Sequence, residues 1–176
     1  MFGDWLFTLC EMKEHSDSKF AAFQTLCKIL SECQSEIAIA PRYLPRIIKV
    51  LFLGLRDPSS PLAHHILLNS NGVFALDLPG FHTLLPQYLD TVRVIISARA
   101  KPNYGSDVLP SHQHSPNRSH DLLLACSKLF SSLLCFPHFF QNLEIKTLTP
   151  MRAPSRFKFA DLKSLLIDQL LALLQV

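Results

Sequence analysis

Glycine is scarce in this chain, with five among 176 residues. None stands in a G-x-x-x-x-G-K-[ST] phosphate cradle, a G-x-G-x-x-G dinucleotide turn or a G-x-S-x-G nucleophile elbow. The commonest backbone devices for gripping a nucleotide or presenting a serine nucleophile are therefore missing. Charge is scarce too, at 18% of residues, and a net charge of +3 gives no footing for a nucleic-acid backbone. Basic stretches interleaved with aromatics, on which single strands stack, are absent. The five cysteines (Cys10, Cys27, Cys33, Cys126 and Cys135) form no C-x-x-C pair. All lie inside apolar helical patterns, where a free thiol behaves as a small hydrophobe, so they read as buried and reduced. No apolar run reaches 18 residues, and no membrane-spanning helix is expected. Met1-Phe2-Gly3-Asp4-Trp5 carries an acid where a secretory leader is basic. These features together point to the cytoplasm.

What the chain does have is apolar surface. Hydrophobic residues make up 48% of it, enough to exclude wholesale disorder. At this length one domain can bury roughly 70% of its unfolded surface. The organising stretch is Tyr43–Leu68, YLPRIIKVLFLGLRDPSSPLAHHILL. Leu44, Ile47, Ile48, Leu51 and Leu55 recur at helical spacing. Asp57-Pro58 breaks the helix, and Ser60-Pro61 reads as N-cap and first residue of a second helix carrying Leu62 and Ile66. The unit is helix, tight turn, helix. Val50, Phe52 and Leu53 lie off the main stripe and read as a face for an adjacent unit.

Helical stripes predict further helices over Asp4–Glu14, from Ser16-Asp17 to about Ser35, over Phe81–Arg99 and over His120–Cys135, the last capped by Ser119. A single turn over Phe139–Leu143 and a final helix over Leu162–Val176 complete the set. Pro86 falls inside the Phe81–Arg99 pattern and must either kink that helix or mark its true first turn. Two stretches break the pattern, at about 100–119 and 146–159. Both read as loops, and no segment alternates as a strand.

Leu44-Pro45 and Leu85-Pro86 each open a long apolar stripe, and their prolines are 41 positions apart. A period of about 40 residues built from helix pairs is the sign of a HEAT or armadillo solenoid. The expected fold is therefore all-α, an α-solenoid of HEAT/armadillo-like helix pairs, with residues 1–176 forming one solenoid segment. The last apolar helix runs to Val176 with no C-cap glycine, which fits a segment of a longer architecture.

The reactive side chains all admit plainer roles. His112, His114 and His120 have no cysteine among them, whereas structural zinc wants four ligands at set spacings; an ordinary polar loop is the better reading, with no metal and no cofactor. His64 and His65 point about 100° apart on a helix, so they read as packing or water-facing residues. No Cys or Ser is placed beside a His with a third orienting group, and a small stand-alone enzyme is the weakest of the readings. The segment around Lys146, Arg152, Arg156 and Lys158 contains Thr149-Pro150 and Ser155, and Ser115-Pro116 lies in the preceding loop. Ser115, Thr149 and Ser155 are thus candidate phosphorylation sites. Each phosphate would add about −1.5 to −2 charges, beside Arg152 and Arg156 in the case of Ser155. A solvated linker is the plain alternative.

The run SKFAAFQTLCKILSE, with IAPRYLPRIIKVLFLGL and FHTLLPQYLDTVRVII, resembles the N-terminal helical region of the α- and β-type subunits of the Ral GTPase-activating complex, relatives of tuberin. The resemblance spans most of Ser16–Val176. It implies a long cytoplasmic α-solenoid, a complementary partner subunit, and a C-terminal Rap-GAP-like domain that uses a catalytic asparagine. Asn103, Asn117 and Asn142 stand in other surroundings, so no catalytic residue carries over. One departure from HEAT units is that His64 or His65 stands where many place an arginine. The expected function is a non-catalytic scaffold in regulation of Ral-type GTPases, with protein partners and no nucleic acid. A generic HEAT/armadillo adaptor in transport or another assembly fits the same helices.

Overall fold

The computed structural model describes residues 3–12, 17–32, 41–76, 78–99, 116–134, 144–145, 157–158, 164, 166–168 and 170–172. Among them are helices α1 (Gly3–Glu11), α2 (Asp17–Glu32), α3 (Leu44–Gly54), α4 (Pro61–Ser70), α5 (Leu85–Arg99) and α6 (Pro116–Leu133). Short 3-10 turns cover Pro41–Tyr43, Val73–Leu76 and Phe81–Leu84. Residues 164, 166–168 and 170–172 are helical, in agreement with the expected last helix.

The central unit forms as its residues dictate. Pro45 occupies the first turn of α3, where a missing N–H goes unnoticed. The helix ends as the Leu55 amide donates to the Leu51 carbonyl at 2.9 Å. Asp57 Oδ1 then accepts from the Ser59 amide at 3.0 Å, tightening the turn. Ser60, in extended conformation, caps α4 by accepting from the Ala63 amide at 3.1 Å, while its hydroxyl donates to the Asp57 carbonyl at 2.8 Å.

Several boundaries differ from expectation. The stripe beginning at Phe81 is a 3-10 turn through Leu84, and the α-helix proper starts at Leu85. Pro86 therefore sits in a first turn and introduces no kink. Gly80 precedes this segment with φ +83°, a left-handed conformation open to glycine. Helix α6 begins at Pro116, so residues 116–119 are helix and Ser119 is not its N-cap. The reason repeats the Ser60-Pro61 junction: proline is pre-organised for a first helical position. Glu144–Ile145 and Phe157–Lys158 form a two-residue antiparallel pair, Glu144 opposite Lys158 and Ile145 opposite Phe157. Strands this short show no alternation to read, and the second falls within the expected 146–159 loop. The expected turn at Phe139–Leu143 lies outside the described residues. The class is all-α, with this small ladder as its one departure among the described residues.

Packing follows the chain in steps. Helix α1 lies against α2 and α3, α2 against α4, α3 against α4, and α4 against both α5 and α6. The Phe81–Leu84 turn rests on α3, and the Val73–Leu76 turn on α2 and α6. One continuous core results, in which Phe23, Leu30, Leu51, Ile66, Leu67, Phe81, Tyr88 and Phe130 are wholly enclosed. Val50 belongs to this core and Phe52 packs against it, so both meet other helices of the chain; of the three residues off the main stripe, only Leu53 is exposed, at 44%. With neighbours on several sides, α3 buries a wider stripe than its leucine spacing defines.

Candidate interaction surface

Helices α1 and α3 meet along a seam of charge and aromatic rings. Arg46 Nη1 reaches Asp4 Oδ1 at 2.8 Å, and its guanidinium lies 4.6 Å from the Phe7 ring centre. Lys49 Nζ reaches Glu11 Oε1 at 3.4 Å. The Phe7 and Tyr43 rings stack at 6.4 Å, and Arg42 covers Tyr43 at 4.8 Å. Asp4 and Glu11 stand seven apart on α1, Arg46 and Lys49 three apart on α3, so each pair spans about a turn or two of its helix. Asp4 is 82% exposed, which leaves the ion pair worth little in stability. It links α1 to α3 across the seam.

A buried polar cluster performs the same task between α4 and α5. The Ser70 hydroxyl donates to the Ile66 carbonyl at 2.6 Å and also lies 2.6 Å from the Tyr88 hydroxyl. Having spent its one proton on Ile66, Ser70 is the acceptor, so Tyr88 donates. The Tyr88 ring sits edge-on to Phe74 at 5.1 Å. Ser70→Ala leaves a wholly buried phenol without its acceptor and is expected to cost about 1–3 kcal/mol. Tyr88→Phe should cost less, because Ser70 keeps the Ile66 carbonyl. Urea denaturation of the two variants measures the order, and a costlier Tyr88→Phe would refute this account.

The thiol of Cys27 touches the same serine. Burial pushes it up to about 12, helped against by the Ser70 hydrogen bond and pushed further by neighbouring Cys10. Burial likewise raises Cys10 to about 11 and Cys126 to about 12. The Tyr88 hydroxyl is raised by burial as well. These thiols remain protonated at neutral pH and are poor nucleophiles there. The linkage has a definite sign. Groups raised in the folded state bind more protons than in the unfolded chain, so their stabilising effect is complete below pH 9 and is lost above it. The urea midpoint should therefore fall steadily between pH 9 and 11, and Cys27→Ala should flatten that fall.

Polar chemistry is otherwise sparse. His65 stands on α4 edge-on to Phe20 of α2 at 5.4 Å, and His64 beside it is half-buried, so packing between helices is their role. His120 is exposed on α6. Asn117 is helical there, and Lys158 belongs to the short ladder. His112, His114, Ser115, Thr149 and Ser155 lie outside the described residues, as do Asn103, Asn142, Lys146, Arg152, Arg156, Cys33 and Cys135. Among the described residues no three His, Cys, Asp or Glu side chains gather as metal ligands. Nor is any described helix long and apolar enough to cross a membrane.

Exposed apolar side chains are the surface feature left to explain. Trp5 (51%) on α1, Met12 just after it and Ile29 on α2 are exposed. Leu124 and Leu134 are exposed at α6, and Ile167 and Leu171 (53%) stand four apart near the C-terminus. Apart from Leu53, the large exposed hydrophobics of the described residues fall on the first two and the last helices. Such side chains, tryptophan above all, are the kind that anchor protein contacts.

Sequence reasoning had no access to the α1–α3 ion pairs or to Ser70–Tyr88, because their partners are brought together only by the tertiary fold. The one sequence signal for the seam is that Arg46 and Lys49 stand on the polar side of an otherwise apolar helix.

Comparison with known proteins places relatives alongside this helical chain. It is 26% identical over 173 residues to the Ral GTPase-activating protein subunit alpha-2 of Mus musculus, and equally to that of Rattus norvegicus. Those matches cover 97% of this chain and 8% of the relatives. The human Ral GTPase-activating protein subunit beta is 26% identical over 148 residues, covering 82% of this chain and 9% of that subunit. The chain is thus a distant relative of both subunit types and spans less than a tenth of their length. No family model and no solved structure matches it.

Proposed function

We propose that this chain is a non-catalytic helical scaffold of a GTPase-activating complex for Ral-type small GTPases, with a role in subunit assembly. The observation that carries this reading is the alignment to both an alpha-2 and a beta subunit across most of the helical chain. The helix arrangement supports it. We read α1/α2 and α3/α4 as successive HEAT/armadillo-type pairs of one solenoid segment, in which first helices pack on first helices and second on second. Leu44-Pro45 and Leu85-Pro86 both opening helices agrees with a repeated unit. The partner is a complementary subunit of the complex, met through exposed apolar side chains, and the working compartment is the cytoplasm. Phosphorylation at Ser115, Thr149 or Ser155 would regulate the loops around them.

Co-expression decides the matter. The chain should co-purify with a complementary Ral GTPase-activating subunit, and the assembly should accelerate GTP hydrolysis by a Ral-type GTPase. Failure to bind either subunit type, or an assembly without effect on hydrolysis, overturns the proposal. The adaptor reading rests on the stacked pairs alone, and it predicts association with neither subunit.

A further inference from the structure

We draw no further inference here: the strongest candidate, the exposed apolar side chains of Trp5 on α1, Met12 just after α1 and Ile29 near the end of α2, has nothing in the structure to show what covers it.

Discussion

Phe23→Ala will lower the stability of this fold by about 3–5 kcal/mol, the range for emptying an aromatic site in a tight core. Phe23 is wholly buried on α2 and turns its ring edge toward the end of α3. It stands where α2, α3 and α4 converge, so the surrounding helices have little freedom to collapse into the space it leaves. Chemical denaturation monitored by circular dichroism gives the value. A loss below about 1 kcal/mol would mean that the site relaxes freely and that the convergence is loosely packed.

The complementary change adds volume at the same place. At Gly54 a Cβ would fall 2.9 Å from both Cε1 and Cζ of Phe23, and it would overlap Cδ1 of Ile66. Gly54→Ala thus sets two effects against each other. Alanine is the better helix former by about 1 kcal/mol, whereas overpacking a well-filled core costs about 1–3 kcal/mol. Overpacking wins here, because Phe23 and Ile66 are both fully enclosed and cannot swing aside. The expected result is net destabilisation by about 1–2 kcal/mol. A double-mutant cycle sharpens the claim. In the Phe23→Ala background the new methyl has room, so Gly54→Ala should cost less there, with a coupling of at least about 0.5 kcal/mol. Additive losses would sink the proposed contact.

Much of this architecture was legible because helical stripes are written in local spacing. The leucines of α3 and the Ser60-Pro61 junction led directly to α3, the turn and α4. Around Ser115-Pro116 the proline, serine and histidine read as loop, and α6 starts four residues before His120, where the apolar stripe puts it. Composition describes a neighbourhood, whereas a helix start is decided by one residue's φ and one missing N–H. The burial of Val50 is hidden from spacing for a related reason. Spacing shows which residues share a face, not how many neighbours enclose the helix. The surface was less readable still: Asp4–Arg46 and Glu11–Lys49 join residues 42 and 38 positions apart, a separation that no local pattern records. The likeness to Ral GTPase-activating subunits was readable in the texture of the same helices, and the alignments give it as a distant relationship.

Helix α4 is only ten residues long, yet it touches α2, α3, α5 and α6 and, beyond Pro61, has no fully exposed position. Opening it alone would strip one side from each of four helices at once. Its inner amides should consequently exchange with deuterated solvent only when the whole molecule unfolds, while those of α1, whose outer face is open to water, should exchange through smaller and cheaper openings. The slow-exchanging centre of the protein is then its shortest interior helix, and the α2 and α3 amides nearest to it should follow in order of their contact with it.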